Sequence, residues 1–460
     1  MGLQTSLEDI VGKDYVITDP QALVPYSHDE YLRHRNLPPL AILPDSPAEV
    51  VEAMKACRAY GVPVTPRGRG TGLAGGAVPL NGSVVLSLER MNRVKELDLE
   101  DGTISVEPGL IVEALHHYVE SKGLFYPVDP ASLDSCSIGG NVATNAGGPR
   151  ALKYGVTRHY VLGIDAVLPD GRVISHGGKY IKNTTGYDLA HALIGNEGTL
   201  CVFTGITLKL IPLPPAQRDL LIPFSTMSDA ARAVVKILNQ LRIVPAVLEF
   251  MDKTSIKVAE AATDKPFPHT DAGAHLLIQL DGLDEEEVDK QMIRVGELCM
   301  ELGAQDVIVA LNDTMRDRLW EARRILHEAC NAASSAVEMQ DVSVPRSQIP
   351  RLLAELEALG KRIDKPIACF GHAGDGNVHV SILHQDEDPE PFLASLDRIN
   401  TEVLSIVARL GGTISGEHGI GSVKKKYLER WLGDNEMALM KALKRMLDPE
   451  DFLNPQKIVC

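Results

Sequence analysis

Residues 66–76 read Pro66-Arg67-Gly68-Arg69-Gly70-Thr71-Gly72-Leu73-Ala74-Gly75-Gly76, directly after the short β-branched run Val62 to Val64. Five glycines in eleven positions let backbone N–H groups approach and cradle anionic oxygens. The spacing Gly70-x-Gly72-x-x-Gly75 satisfies the Rossmann fingerprint, and Glu89 falls near its acidic position. Space excludes that fold. A Rossmann crossover needs a helix of about ten residues or more opening at the glycines. Here only residues 76–82 separate Gly75 from a strand starting at Ser83, and they include Pro79 and the turn pair Asn81-Gly82. A P-loop is excluded too, because no Gly-Lys-Ser/Thr follows. The loop either holds a pyrophosphate in some other fold or is a flexible turn.

A second stretch decides between these. Asp129-Pro130-Ala131-Ser132 is followed by Ser135-Cys136-Ser137-Ile138-Gly139-Gly140-Asn141-Val142-Ala143-Thr144-Asn145-Ala146-Gly147-Gly148. Small residues with short hydroxyl or amide side chains pack poorly as a core but suit a backbone wrapped against a long polar ligand. Tyr154-Gly155 and Gly195-Asn196-Glu197-Gly198-Thr199-Leu200 continue the pattern.

The order P-R-G-x-G-T, S-I-G-G-N-x-A-x-N-A-G-G, Y-G, E-G-T-L resembles the FAD domain of the vanillyl-alcohol-oxidase, or PCMH-type, superfamily. Past residue 211 the chain is similar to the branch of glycolate oxidase D-subunits, D-lactate dehydrogenases and D-2-hydroxyglutarate dehydrogenases. The resemblance implies that Arg67, Gly68, Gly70, Thr71, Gly75 and Gly76 hold the FAD pyrophosphate. Ser137, Gly139, Gly140, Asn141, Ala146 and Gly147 would line the cofactor, with Glu197 and Asn454 approaching it. Covalent flavin attachment in such proteins commonly uses His or Cys. The first loop has neither, so non-covalent FAD is expected, with Cys136 a small packing residue.

Two clusters in the C-terminal half carry reactive side chains: Gly371-His372-Ala373-Gly374-Asp375-Gly376-Asn377-Val378-His379, and Gly416-Glu417-His418-Gly419-Ile420-Gly421. Two His and one Glu on separate segments are a normal ligand set for a divalent metal with a position left open for substrate. Such a cation would polarise a substrate hydroxyl, and a neutral imidazole would take its proton as hydride leaves for the flavin. The family resemblance assigns His372, His379 and Glu417 to the metal, zinc or manganese, and His418 to the base. Asp375 and Asn377 are either their supports or turn residues. A 2-hydroxy acid also needs a clamp for its carboxylate, for which Arg offers a bidentate fork. Arg323 and Arg324 are candidates, and the branch's W-x-x-R motif, here beginning at Trp320, selects Arg323.

Two departures from the branch stand out. Its Lys before a D-x-S-x-P segment is missing, since Glu338-Met339-Gln340 precede Asp341-Val342-Ser343-Val344-Pro345. A dicarboxylate would lose a charge partner, which favours D-lactate or glycolate over D-2-hydroxyglutarate. In Leu453-Asn454-Pro455-Gln456-Lys457, Gln456 stands where the family usually has Gly.

The 460 residues exceed what one core supports, so more than one domain is expected. An α+β FAD domain is expected over 1–211, ending at the proline-rich Ile211 to Pro215. A cap domain with an antiparallel sheet should follow over 212–410, and a C-terminal segment, 411–460, should return to the flavin domain. The acidic run from Asp284 to Glu287 reads as a solvated helix N-terminus rather than a metal site. A net charge of −16 argues against nucleic acid as a partner. Seven dispersed cysteines, none in C-x-x-C spacing, signal neither a zinc ribbon nor an iron–sulfur cluster and fit reduced thiols in the cytoplasm. Met1-Gly2 with Ser6 matches the bare myristoylation pattern, which chance often supplies. No apolar run reaches the ~18 residues of a membrane span, so any membrane association would be peripheral, through a partner. With no redox centre besides the flavin, electrons would leave to an electron-transfer flavoprotein, a quinone or cytochrome route, or an iron–sulfur partner subunit. A homodimer is compatible with all of this. The rival functions are an alkylglycerone-phosphate-synthase-like FAD transferase and a non-catalytic flavin subunit of a larger oxidase.

Overall fold

The computed structural model of the protein describes residues 2–31, 33–263 and 265–459. Met1 of the acylation pattern and Cys460 of the cysteine count lie outside them. The chain packs as two units, one from Met1–Gly147, Val156–Leu213 and Glu417–Cys460, the other from Gly148–Gly155 and Pro214–Gly416.

In the first unit the aliphatic strand Val84–Ser87 is buried at every position, as a strand covered on both faces must be. It pairs in parallel with Ala41–Ile42 on one side and Val64–Arg67 on the other. Helix Pro47–Ala59 begins at Ser46, whose hydroxyl accepts the Glu49 amide, and has Pro47 in its first turn. It buries Val50, Ala53, Met54 and Cys57. No helix follows Val64–Arg67, as the spacing required. The glycine loop instead ends in a turn in which Asn81 and Gly82 both have positive φ, 55° and 69°. The Ser83 amide closes it on the Leu80 carbonyl at 3.0 Å. A five-stranded antiparallel sheet completes this unit, in the order Val94–Asp98, Thr103–Val106, Val202–Lys209, Val161–Val167, Val173–Gly177.

The C-terminal tail belongs to the same core. The Val64 amide donates to the Phe452 carbonyl at 3.0 Å, and the Asn454 amide to the Val64 carbonyl at 2.7 Å. Phe452 and Leu453 thereby join the cluster formed by Val50, Met54, Val84 and Leu86. Lys444 is buried with its charge met by Asp448 at 2.6 Å and by the carbonyls of Thr199 and Leu453 at 3.0 and 2.9 Å, the pairing a buried ammonium needs.

The second unit is built on a seven-stranded sheet, antiparallel throughout, in the order Ile308–Val309, Ala216–Phe224, Ala274–Gly282, Val247–Asp252, Ile367–His372, Asn377–His384, Ala336–Ser343. The α+β expectation holds. Asp284 caps helix Glu285–Glu301, its carboxylate accepting the Glu287 amide at 2.8 Å, so the acidic run is a helix start. The Tyr154-Gly155 pair, read as part of the flavin domain, packs with this second unit: the Tyr154 hydroxyl donates to Asp281 at 2.7 Å and Lys153 to the Asp281 carbonyl at 2.8 Å. No helix among the described residues is long and apolar enough to cross a membrane.

The tail carries four non-glycine residues in left-handed conformation, Asp451, Asn454, Gln456 and Ile458, with φ of 50°, 47°, 66° and 53°. A glycine at position 456 would adopt this backbone geometry without strain. Gln456→Gly should therefore stabilise the protein by about 0.5–1 kcal/mol, the relief of the left-handed strain exceeding the added freedom of the unfolded chain. Urea unfolding measures this, and a lower midpoint would show that the Gln456 side chain contributes more than its backbone strain removes.

Candidate active site

The register of the seven-stranded sheet assembles a polar group on one face. Strands Ile367–His372 and Asn377–His384 form a hairpin in which His372 faces Asn377 and Phe370 faces His379. Continuing across the sheet, Glu249 faces His372 and Asp341 faces His379. Cross-strand partners share a face, and so do residues two apart on a strand. The rows Asn377, His372, Glu249 and Asp341, His379, Phe370, Met251 are thus neighbours on the same side. The rings of His372 and His379 lie 5.4 Å apart at 82°, with a nitrogen of each within 4.8 Å of the other. Both side chains are buried. The turn between the strands uses Gly376 at φ 97°, where a Cβ would lie 2.0 Å from the Val344 carbonyl oxygen.

Glu249 is the buried hinge of this group. Its carboxylate takes His372 Nδ1 on one oxygen and Arg323 Nε on the other, the latter at 2.6 Å. Burial pushes this carboxyl up, but the charges and hydrogen bonds of His372 and Arg323 outweigh it and bring it down to about 2. The Glu249 carboxylate at Nδ1 fixes the orientation of the His372 ring, as a carboxylate does behind a metal-ligating imidazole. Arg323 comes from helix Asp313–Arg324, capped by the Asn312 side chain, and its guanidinium lies 5.1 Å from the Phe370 ring centre. Its two terminal nitrogens make no hydrogen bond to the described residues, so the edge of the fork that could meet a carboxylate is available. Arg324 differs, donating from the exposed side of the helix to the Asp317 carbonyl at 3.3 Å.

Asp341 was not singled out in the sequence, nor was Glu249. Asp341 is fully buried. It accepts the Asn377 side-chain amide at 2.6 Å, the Ser415 hydroxyl at 2.9 Å and the Gly416 amide at 2.9 Å, and stands 3.9 Å from His379 Nδ1. Asn377 is therefore more than a turn residue, while Asp375 accepts the Asn377 amide at 3.0 Å as a turn residue does. A Cβ on Gly416 would lie 2.1 Å from the Asn377 side chain, so the chain can run along Asp341 only as glycine. The next residue is Glu417. The one signal that could have found Glu249 was a lone carboxylate in the otherwise apolar run Val247-Leu248-Glu249-Phe250-Met251.

In the first unit, Glu417 Oε1 lies 3.9 Å from His418 Nε2. A Cβ on Gly147 would stand 3.0 Å from the Glu417 carboxylate, so the glycine there makes room for it. Glu197, expected to approach the cofactor, has its carboxylate engaged by the chain's own backbone. Its carboxylate accepts the amides of Ile420 and Gly421 at 2.8 and 2.7 Å and so holds the turn that follows His418. Asn454 likewise donates to the carbonyls of Gly76 and Glu197 at 2.9 and 2.8 Å.

The two glycine-dense segments meet. A Cβ on Gly68 would fall 2.5 Å from the Ser137 hydroxyl and 3.7 Å from Gly140. Ser137 caps helix Ile138–Thr144. The amides of Gly68 to Ala74 donate to no described residue, and such a run of unpaired N–H groups is what an anion cradle requires. The Arg67 side chain does not add to it: the guanidinium is buried and spent on the carbonyls of His28 and Pro25 at 2.7 and 2.8 Å. Burial pushes the Cys136 thiol up to about 11, which leaves it protonated and a poor nucleophile near neutrality.

Removing one partner of a buried ion pair leaves the other uncompensated, at roughly 3–5 kcal/mol. Glu249→Leu should lose stability of that order in urea unfolding, and adding Arg323→Leu should restore most of it. A loss under about 1 kcal/mol for the single variant would show that Glu249 does not hold Arg323 and His372.

Residues 38–177 match the family model for the FAD binding domain, and residues 213–458 that for the C-terminal domain of FAD linked oxidases. The chain is 38% identical over 437 residues to the glycolate oxidase subunit GlcD of Bacillus subtilis, covering 94% of this chain and 91% of that protein. It is 37% identical over 439 residues to a D-lactate dehydrogenase of Anaerostipes hadrus, with 94% and 92% covered. With a D-2-hydroxyglutarate dehydrogenase of Xanthomonas citri pv. viticola it is 36% identical over 458 residues, 98% and 96% covered. Among solved structures, p-cresol methylhydroxylase with substrate bound superimposes with a TM-score of 0.81 at 18% identity, over 99% of this chain and 96% of that one, which bears on the fold alone. The protein belongs to the FAD-linked oxidase family, as an oxidoreductase built on the PCMH-type flavin fold.

Proposed function

We propose that the protein is a dehydrogenase that oxidises a small D-2-hydroxy acid, D-lactate or glycolate, to the 2-oxo acid. The observation that carries this is the Glu249 hinge, which joins a buried imidazole pair to a guanidinium whose terminal nitrogens are unspent. A metal ligand and a carboxylate clamp held by one anion suit a substrate with hydroxyl and carboxylate on neighbouring carbons.

His372, His379 and Glu417 are the proposed ligands of a divalent cation, zinc or manganese. Glu417 follows Gly416, which is hydrogen-bonded to Asp341, itself the cross-strand partner of His379. The amides of Gly68 to Ala74, which donate to no described residue, with Gly75, Gly76, Ser137, Gly139, Gly140, Asn141, Ala146 and Gly147, would hold FAD without a covalent bond. When bound, these groups supply a two-electron acceptor for the C2 hydride and a Lewis acid for the hydroxyl. Arg323 orients the substrate through its carboxylate. His418 takes the hydroxyl proton, so that a hydride and a proton together leave the substrate as its C–O bond becomes a carbonyl.

The row beside His379 contains Met339, Ser381 and Ala368. A second carboxylate on the substrate would meet no cation there, which favours monocarboxylates. Electrons leave to an external acceptor: an electron-transfer flavoprotein, a quinone or cytochrome route, or an iron–sulfur partner subunit.

Anaerobic mixing of the FAD-loaded protein with D-lactate, glycolate and D-2-hydroxyglutarate tests the substrate, and bleaching of the flavin is expected with one of the first two. Fastest bleaching by D-2-hydroxyglutarate would overturn the monocarboxylate assignment, and bleaching by none would overturn the activity. His418→Ala should keep its flavin and lose at least about a hundredfold in reduction rate, the usual scale of a missing general base. Stripping divalent metal should slow reduction and readdition restore it, whereas a full rate without metal would remove the cation from the scheme.

A further inference from the structure

Lys457 has no exposed surface. It lies in the tail, far in sequence from the first glycine loop, yet its ammonium donates to the carbonyls of Gly75 and Val78, both at 2.7 Å. The rest of the tail continues the pattern. The amides of Ser422 and Val423 take the Ala74 carbonyl at 3.0 and 3.2 Å, and the Asn454 side chain takes that of Gly76 at 2.9 Å. Carbonyls of three consecutive residues, 74 to 76, are thus tied by the C-terminal segment. In a planar trans peptide the N–H points opposite to the carbonyl of the preceding residue. Fastening the Gly75 and Gly76 carbonyls therefore turns the amides of Gly76 and Ala77 away from the tail, and neither donates to a described residue.

We infer that Lys457 is a positioning residue for FAD: it holds the first glycine loop by its carbonyls, so that the loop's amides face the cofactor's diphosphate, and places a buried positive charge behind that cradle. The charged groups around Lys457 are Asp29, Glu197 and Lys425, the first two drawing its proton tighter and the last opposing. Burial, the largest influence, brings the ammonium down to about 8. Asp29 is pushed up by burial to about 6, below the range in which Lys457 changes charge. Burial also pushes Glu197 up, against the pull of the Ile420 and Gly421 amides and of Lys457 and Lys424. The sign follows from linkage. An anionic ligand favours the protonated lysine, so affinity is full below the free protein's Lys457 value and falls as pH rises through it.

Flavin-free protein titrated with FAD between pH 7 and pH 9, followed by flavin fluorescence, tests this without turnover. Wild type should weaken by up to about tenfold over these two pH units, the limit for one proton released at about 8 in the free protein and retained in the complex. Lys457→Met should bind FAD more weakly at pH 7, by at least about tenfold, and lose most of the pH dependence. A purely structural lysine would weaken binding in the variant but leave the slope in place. Wild-type affinity that is flat across the range, or a variant with wild-type affinity and slope, would overturn the proposal. If Lys457→Met does not fold, the wild-type profile alone decides.

Discussion

An irregular loop has no ladder to satisfy its backbone, so each carbonyl it turns inward must find a donor elsewhere. In the first glycine segment Glu30 supplies Gly72, and the donors to residues 74–78 come from the far end of the chain: Ser422 and Val423 on Ala74, Lys457 on Gly75 and Val78, Asn454 on Gly76. This constraint accounts for the return of the last residues to the first unit. It also explains why Lys457 is buried, and why the tail tolerates left-handed backbone at Asp451, Asn454, Gln456 and Ile458. The carbonyls are spent on the chain itself, while the amides of Gly68 to Ala74, Gly76 and Ala77 donate to no described residue. Glu197 performs the reverse service for the turn after His418, accepting amides that would otherwise be buried unpaired.

The second unit solves a different problem with the same physics. Burying Glu249 in an apolar strand is tolerable only because His372 and Arg323 share its two oxygens. Buried Asp341 is met by Asn377, Ser415 and Gly416. The polar face is therefore held by paired strands and by the loop residues Ser415 and Gly416. Its imidazoles ride on paired strands, and their separation is set by register.

Much of the site was legible because glycine and histidine carry local meaning. The Asn81-Gly82 pair and Pro79 forbade a helix after the first loop, and the chain obeys, with both turn residues at positive φ. His372 and His379 flank a glycine turn, and a hairpin there brings them to one face. Other assignments depended on where side chains finally point. Arg67, Glu197 and Asn454 have the composition of ligand contacts, yet each is committed to the protein's own backbone. Nothing in the order of residues distinguishes a side chain that holds a ligand from one that holds the loop doing so.

The sequence by itself determined the flavin fold class, the two glycine segments and the paired histidine clusters, because motif spacing and backbone permission are local properties. Only the tertiary structure decided that Glu249 joins His372 to Arg323, that Asp341 anchors the residues before Glu417, and that Lys457 braces the loop at Gly75. Those contacts link positions separated by tens to hundreds of residues. Register, burial and the demand that every buried charge be met, not any pattern along the chain, choose such partners.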